Sequence, residues 1–316
     1  MAQAHAHGPG MERGAVPGGP EALAARREGN RRRMLVAAAI NAALVAAGVI
    51  GGILTGSLAL LADAGHVLSD LGAIGLALVA ATLAARSGGP RRTFGYQRTE
   101  VMAALLNGVT LVAIAVLIVV AAVDRLGDPP EVEGAGVVVL GVVGLAGNAV
   151  ATWVLARGRR DDLNLEAVLR HSVADALGSL GVIVSGVVIL ATGWNPIDPL
   201  VGIAIAALIL ASSIRLVREP LDVLMEAAPP GVDVEAVARA IGSVDGVRAV
   251  HDLHVWSLTP GFEALAAHVV VAREADRDRA RREVEFVLRD RYGIEHTTLQ
   301  MEEEADDALL EVETDP

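Results

Sequence analysis

The stretch SLALLADAGHVLSDLGAIGLALVAATLAA, residues 57–85, is apolar and long enough to cross a lipid bilayer. A helix needs about 20 apolar residues to span the hydrocarbon layer, and this segment exceeds that length. It nevertheless contains ionisable residues, and His66 and Asp70 stand four positions apart within it. Residues four apart project from the same face of a helix. The segment therefore predicts a membrane-spanning helix that presents an imidazole and a carboxylate side by side.

The same spacing recurs in HSVAD, residues 171–175, inside another apolar stretch. Two imidazoles and two carboxylates from neighbouring helices form a four-ligand set that suits Zn²⁺. A divalent ion would offset the cost of about 2.5–3.5 kcal/mol that insertion scales assign to a charged residue at mid-membrane. Alternatively, each pair is an internal hydrogen bond that aids helix packing, but the repetition on a separate helix favours metal. We therefore predict an intramembrane metal site at His66, Asp70, His171 and Asp175.

The composition of the whole chain agrees with the membrane class. Hydrophobic residues make up 53% of the 316 residues, and the mean hydropathy is +0.49. The chain has no cysteine, which excludes disulfides and thiolate metal ligands. Six stretches are predicted to span a bilayer, near residues 34–54, 58–85, 100–123, 134–156, 165–191 and 197–217.

The distribution of arginine predicts the orientation of the spans. Arginines cluster before the first span, between the second and third, between the fourth and fifth, and at the end of the sixth. The connections on the other side hold Arg125 alone, beside several acidic residues. Cytoplasmic loops are enriched in basic residues, so both termini are predicted to be cytoplasmic.

The C-terminal part has a different character. Residues 219–316 hold 9 Arg against 23 Asp and Glu, a balance that would repel nucleic acid and attract cations. Their pattern of helix, strand, strand, helix and strand, with Asp233 as the first helix cap, predicts a ferredoxin-like α+β domain. The predicted organisation is a disordered tail at 1–30, a six-helix transmembrane domain at 31–220, a cytoplasmic ferredoxin-like domain at 229–302 and an acidic disordered tail at 303–316.

Four motifs resemble the cation diffusion facilitator family, and most of all its bacterial zinc-exporting branch. They are SLALLADAGHVLSD (57–70), TFGYQRTEVMAALLNG (93–108), LRHSVADALGSLGV (169–182) and VHDLHVWSLTPG (250–261), and the likeness runs from about residue 30 to residue 302. The resemblance implies a homodimer in the bacterial inner (cell) membrane that exchanges cytoplasmic Zn²⁺ for protons. It also implies that the two His-x-x-x-Asp motifs form the transport site.

The resemblance implies a second, regulatory metal site in the cytoplasmic domain. His251 and His268 match family positions that bind regulatory metal, and Glu302 stands where a bridging carboxylate is found. Gln300 stands where some members have a histidine ligand, so the site is expected to be incomplete or weaker. The segment 93–98 offers no histidine or carboxylate, and the loop-borne site of some relatives is expected to be absent.

Several other polar residues have more than one interpretation. Asp63 either belongs to an exit path for metal or is a helix-start residue that hydrogen-bonds to local backbone. His254 and His296 are expected to be structural. By resemblance, Arg98 and Glu226 are expected to form an ion pair where the membrane and cytoplasmic parts meet.

The leading hypothesis for function is a secondary active transporter without an organic cofactor. Imidazole binds metal only when neutral, so protons and metal compete for the same ligands, and alternating access would couple their movements. A membrane metalloenzyme is the rival, but HExxH is missing and four protein ligands leave no open position for water. A metal sensor would leave the intramembrane site unexplained. The transported ion stays open among Zn²⁺, Cd²⁺, Co²⁺, Fe²⁺ and Ni²⁺.

Overall fold

The computed structural model describes the backbone of residues 20–86, 88–156 and 165–304, and the side chains of residues 35–86, 88–154 and 173–304. Six long helices come first in the chain, and a small domain of two helices and three strands follows them. The long helices are α1 (Pro20–Thr55), α2 (Leu58–Ala84), α3 (Arg98–Gly127), α4 (Gly134–Ala156), α5 (Leu165–Thr192) and α6 (Ile197–Leu224).

Contacts within the chain define two compact units. The first contains the described residues up to Leu71 together with Ile114–Leu208. The second contains Gly72–Ala113 together with the described residues from Ile209 onwards. The boundary therefore passes through α2, α3 and α6, and the small C-terminal domain belongs to the second unit.

The six predicted spans are confirmed as helices. Within the described residues, six helical stretches are long and apolar enough to cross a membrane. Their positions agree closely with the predicted spans. They are Leu35–Thr55, Leu58–Ala84, Arg98–Gly127, Gly134–Val154, Val173–Thr192 and Ile197–Leu224.

The ends of some elements differ from the prediction. Helix α1 begins at Pro20, so residues 20–30 are helical where a disordered tail was predicted. This segment is rich in Ala, Glu and Arg, which favour helix, and proline is well suited to a first helical position. The last strand reaches Glu303, just past the predicted domain end at 302. The rest of both predicted tails, 1–19 and 305–316, lies outside the described residues.

Helix α6 continues beyond the predicted end at residue 217. Its last turns carry two ion pairs at helical spacing, Arg215–Glu219 at 2.8 Å and Arg218–Asp222 at 3.9 Å. Pairs four residues apart support an exposed helix even where the sequence is charged. The charged end therefore extends the helix past its apolar part to Leu224.

Small residues bring α4 and α5 close together in the first unit. A Cβ atom added at Gly186 would lie 2.7 Å from Val138 Cγ2 and 2.9 Å from the carbonyl oxygen of Gly134. A Cβ atom added at Gly141 would lie 2.8 Å from Ile183 Cγ1. These glycines allow the backbone approach that stabilises helix pairs in a membrane, where the hydrophobic effect does not drive association.

The first turn of α2 is capped by an acid from α6. The Asp198 carboxylate is fully buried and accepts hydrogen bonds from Ser57 Oγ at 2.5 Å and from the Leu58 amide at 2.6 Å. The first amides of a helix have no partner within the helix and carry partial positive charge. Asp198 satisfies them, so this acid has a structural explanation.

The C-terminal domain has the predicted order of elements. Helix α7 (Val234–Gly242) is followed by β1 (Val247–Thr259), β2 (Phe262–Val271), α8 (Arg277–Tyr292) and β3 (His296–Glu303). The sheet order is β1-β2-β3, with β1 and β2 antiparallel and β2 and β3 parallel. The predicted cap is confirmed, since Asp233 accepts hydrogen bonds from the amides of Glu235 and Ala236.

One face of this sheet is covered by the two helices, and the other carries polar side chains. Leu265, Ala267 and Val269 of β2 are buried in a core shared with α7 and α8. Because side chains alternate along a strand, His268 points away from that core. The helix-free face is therefore the one that carries the histidines.

Candidate metal sites

The first candidate site lies between α2 and α5. His66 Nε2 is 3.7 Å from Asp70 Oδ2 and 3.4 Å from Asp175 Oδ1. Ligand atoms of all three residues lie within 4.8 Å of one another. Zinc bonds of about 2.0–2.2 Å in a tetrahedron separate ligand atoms by roughly 3.3–3.6 Å. The structure therefore brings three of the four predicted ligands to distances that suit one ion.

These three side chains are largely hidden from solvent. Their exposed fractions are 14% for His66, 21% for Asp70 and 14% for Asp175. Two carboxylates placed this closely in apolar helices need a positive partner, because burying uncompensated charge is costly. A divalent cation or a protonated imidazole can supply that charge.

Two contacts define how α2 and α5 are aligned. His66 of α2 contacts Asp175 of α5. Asp63, one turn before His66 in α2, contacts Ser179, one turn after Asp175 in α5. The helices therefore run antiparallel here, and the next step in this alignment pairs Asp70 with the backbone position of His171. The His171 side chain lies outside the described residues.

The position of Asp63 favours the exit-path interpretation over that of a helix-start residue bonded to local backbone. Its Oδ2 accepts a hydrogen bond from Ser179 Oγ at 3.4 Å, across to another helix. A Cβ atom added at Gly178 would lie 2.7 Å from Asp63 Oδ1, so glycine leaves the room that this carboxylate occupies. Asp63 therefore lies against α5, one turn from His66, and its described contact is with a side chain.

The second candidate site is on the helix-free face of the sheet. His251 Nε2 lies 3.0 Å from Glu302 Oε2, and His268 Nδ1 lies 2.7 Å from Glu302 Oε1. The two imidazole rings are 5.0 Å apart between centroids, and ligand atoms of all three residues lie within 4.8 Å of one another. The structure thus brings together the three residues that the sequence indicated.

Strand pairing creates this cluster. His251 of β1 is directly opposite His268 of β2, and Glu302 of β3 pairs with Val270 of β2. The ladder between β1 and β2 shifts register between His251 and His254, where Asp252 adopts a positive φ of 48°. Residues three apart on a regular strand point to opposite faces, so this irregularity allows His251 and His254 to lie on the same face of the sheet.

The electrostatics of the cluster favour a cation. The hydrogen bond with His251 lowers the pKa of the Glu302 carboxyl, and Gln300 and His268 act in the same direction. Gln300 Nε2 also donates to Glu302 Oε1 at 2.8 Å. The cluster therefore offers an ionised carboxylate and two imidazoles, and one position of a tetrahedral zinc ion would still need a ligand.

The other two histidines of the C-terminal domain have different neighbours. The His296 ring packs against Phe94 and Phe262, with centroid distances of 5.5 Å and 5.8 Å. His254 lines a cavity together with Trp256. Both positions are compatible with the structural role expected for these two residues.

The predicted ion pair between Arg98 and Glu226 is confirmed. Arg98 Nη2 lies 3.0 Å from Glu226 Oε1, and both side chains are partly exposed. An exposed pair of this kind contributes at most about 1 kcal/mol to stability. It joins the start of α3 to the residues that follow α6.

Comparison with known protein families identifies two adjoining domains. Residues 34–225 match the cation efflux transmembrane domain, and residues 229–304 match the cytoplasmic domain of cation efflux proteins. The chain belongs to the cation efflux family. The family is also called the cation diffusion facilitator family, so the resemblance seen in the four motifs is confirmed.

Several relatives match over most of the cation efflux chain. The cadmium, cobalt and zinc/H(+)-K(+) antiporter of Bacillus subtilis strain 168 is 39% identical over 269 residues, which cover 83% of this chain and 86% of the relative. The zinc transporter ZitB of Escherichia coli strain K12 is 39% identical over 277 residues, 87% and 88% of the two chains. The metal cation efflux system protein CzcD of Cupriavidus metallidurans is 36% identical over 275 residues, 87% of each chain.

A solved structure also matches part of the chain. The metal-bound C-terminal domain of the CzcD transporter is 36% identical, covers 22% of this chain and 99% of its own, and has a TM-score of 0.22. The family, together with the helices and strands described above, confirms the predicted fold class: six membrane-spanning helices and a cytoplasmic α+β domain. By family, the chain is a membrane-embedded cation efflux transporter.

Proposed function

We propose that the chain exports divalent metal, with Zn²⁺ as the first candidate, from the cytoplasm in exchange for protons. Transport would proceed by alternating access around His66, Asp70, His171 and Asp175. The observation that carries this proposal is the cluster of His66, Asp70 and Asp175 within 4.8 Å in apolar helices. The names of the relatives, which include zinc transporters and a metal/proton antiporter, support it.

The proposed exchange follows from the ligand chemistry. Imidazole nitrogens and carboxylate oxygens bind metal only when they carry no proton, so one ion and several protons are alternative occupants of the site. The two aspartates neutralise a divalent ion, which lowers the cost of holding it in the bilayer. If the site opens to each side in turn, an inward proton gradient expels metal. Asp63, one turn closer to the start of α2, would receive the ion on its way out.

The direct test is transport by purified protein in proteoliposomes. Zinc flux and the accompanying proton flux are measured with and without a pH gradient, for the wild type, Asp70→Asn and Asp175→Asn. We expect both variants to lose coupled transport, while the control Asp124→Asn, an exposed acid at the end of α3, retains it. Normal zinc flux in Asp70→Asn and Asp175→Asn would refute the proposed site.

The coupling ion and the metal range need separate measurements. Because one relative is named an H(+)-K(+) antiporter, the same assay is run with a potassium gradient in place of the proton gradient. We expect the proton gradient to drive most of the zinc flux. Competition by Cd²⁺, Co²⁺, Fe²⁺ and Ni²⁺ then ranks the transported metals.

An enzymatic role has less support. The relatives are named as transporters, and a complete set of four protein ligands would leave no coordination position for a reacting water. We therefore propose that the protein is not an enzyme and needs no organic cofactor. Zinc-dependent ester hydrolysis by purified protein that persisted without a pH gradient would contradict this.

We also propose that His251, His268 and Glu302 bind Zn²⁺ as a regulatory site, in a homodimer. The support is the geometry of the three donors and their partial exposure to the cytoplasm. His251→Ala is expected to shift the zinc concentration needed for half-maximal transport and to leave the maximal rate largely intact. Complete loss of transport in a folded dimer would contradict a purely regulatory role.

The proposed location is the bacterial inner membrane with both termini in the cytoplasm. The native chain has no cysteine, so single cysteines report accessibility without background. A membrane-impermeant thiol reagent applied to intact spheroplasts is expected to label Asp128→Cys, in the α3–α4 connection, and not Glu274→Cys, in the cytoplasmic domain. The opposite labelling pattern would reverse the proposed orientation.

A further inference from the structure

A cavity of about 900 Å³ lies within the second compact unit and belongs to neither metal cluster. It is lined by the connection between α2 and α3, by the start of α3 and by the helix-free face of the sheet. Its chemistry is cationic and aromatic. The lining includes Arg91, Arg92, Arg98, Tyr96, His254 and Trp256.

Arginines outnumber acidic residues in the lining of this cavity. Glu226 is the one carboxylate in the lining, and it pairs with Arg98. Neither Arg91 nor Arg92 has a carboxylate partner among the residues that the structure describes. The Arg92 guanidinium lies 4.4 Å from the centroid of the Tyr96 ring, a cation–π contact that holds it in the cavity wall.

One donor in the cavity wall has no acceptor. Among the described residues, Arg98 Nε is buried and makes no hydrogen bond. A buried donor without a partner is costly, so it favours a bound acceptor. Together with two arginines without acidic partners, it indicates that the cavity suits an anion.

An apolar groove of about 520 Å³ adjoins this cavity. It runs between α2 and α3, and its lining includes Leu83, Leu106 and Val109. Thr99 and Met102 line both spaces, so the groove and the cavity lie side by side at the start of α3. From Thr99 to Val109 the helix rises about 15 Å, which matches a large part of an extended acyl chain.

We propose that the cavity and the groove together bind one anionic phospholipid of the cytoplasmic leaflet. Its phosphate lies against Arg91 and Arg92 and accepts from Arg98 Nε, and one acyl chain follows the groove between α2 and α3. Basic pockets at the cytoplasmic ends of membrane helices suit anionic headgroups. A free phosphate ion would use the cavity alone, whereas a lipid uses both spaces, and an apolar groove directly beside the basic cavity favours the lipid.

The test is lipid retention by the full chain, released from nanodiscs and measured by native mass spectrometry. The probes are dioleoyl-phosphatidylglycerol and dioleoyl-phosphatidylcholine in equal amounts. We expect the wild type to retain phosphatidylglycerol preferentially. Arg91→Gln combined with Arg92→Gln should weaken that retention by about 25-fold, since each arginine near an anionic lipid contributes about fivefold.

Matched controls separate this site from general charge and size effects. Arg289→Gln with Arg291→Gln removes the same charge from the exposed end of α8 and should not change lipid retention. Ala103→Trp fills the groove and should reduce retention of both lipids, while Ala113→Trp, on an exposed side of the same helix, should not. Arg91→Gln alone keeps the Arg92–Tyr96 contact and should lower phosphatidylglycerol retention by about fivefold. This single variant tests the proposal if the double variant does not fold.

Four outcomes would overturn the proposal. They are equal retention of the two lipids by the wild type, an unchanged double variant, or equal losses in the α8 control. The fourth is full displacement of phosphatidylglycerol by millimolar inorganic phosphate with no effect of Ala103→Trp, which would assign the cavity to a free anion. In the second of these cases, a changed monomer-to-dimer ratio in the double variant would assign the cavity to a second copy of the chain.

Discussion

The cluster between α2 and α5 and the cluster on the cytoplasmic sheet use the same donor groups in different surroundings. The side chains of His66 and Asp175 are each 14% exposed, whereas those of His251 and Glu302 are 49% and 30% exposed. Water can solvate the second cluster when it holds no metal, but solvates the first far less. Bringing charge into a membrane is costly, so the buried cluster gains more from a cation than the exposed one does.

The two clusters also differ in how the chain builds them. In the first, one helical turn places His66 beside Asp70, and a single helix pairing adds Asp175. In the second, one residue comes from each of three strands. We therefore expect the first cluster to govern transport itself and the second to adjust it. Matched substitutions can break or sharpen this distinction.

The largest difference is expected between His66→Gln and His268→Gln. Losing a group that hydrogen-bonds to a metal ligand lowers metal affinity or activity by roughly 10–100-fold, and losing a ligand itself should cost more. His66→Gln should therefore reduce zinc flux by more than about 100-fold. His268→Gln should retain most of the maximal flux and shift its dependence on cytoplasmic zinc. Both are measured in proteoliposomes over a range of zinc concentrations. Equal losses in the two variants would remove the functional distinction between the clusters.

A smaller effect is expected from Gln300→His in the cytoplasmic cluster. Gln300 lies on the same face as Glu302 and bonds to it, so a histidine there would supply a fourth ligand. Zinc affinity should rise by at least about tenfold, the lower end of what a group supporting a ligand contributes. Isothermal titration of the full chain measures it. Thr298→His adds a histidine two residues away on the same strand face and should not produce this gain.

The space around Asp63 allows a still finer test. Gly178→Ala would push the Asp63 carboxylate from its position. Holding a side chain away from its preferred rotamer costs about 1 kcal/mol, so the transport rate should fall by roughly fivefold. Gly72→Ala is the control, because a Cβ atom there meets nothing within 4 Å. An unchanged rate in Gly178→Ala would mean that Asp63 does not contribute to ion movement.

The smallest effect on metal handling is expected from Asp198→Asn. This buried acid caps α2, so the variant should lose about 1–2 kcal/mol of stability, because an amide cannot accept from all the same donors. Zinc affinity should not change. Thermal unfolding and zinc binding are compared with those of Asp128→Asn, an exposed acid. A large loss of zinc binding in a stable Asp198→Asn protein would make this residue part of the metal path.

The sequence predicted some structural features better than others. The six spans and the order of the small domain were predicted correctly, because apolar length and alternation are local properties. The helical segment 20–30 and the charged end of α6 were missed, since both lie outside the apolar pattern on which the spans were assigned. No local signal identified Asp198, whose partners are about 140 residues away along the chain.

By itself the sequence determined the membrane class, the number of spans and the pairing of each histidine with an aspartate four residues later. The membrane class and the spans follow from composition and apolar length, and the pairing follows from helical periodicity; all are properties that can be read along the chain. The tertiary structure alone decided that Asp63 meets Ser179, that Asp198 caps α2 and that the arginine-lined cavity adjoins the groove between α2 and α3. Such contacts depend on how separate elements pack, and packing joins residues whose separation in sequence carries no periodic signal.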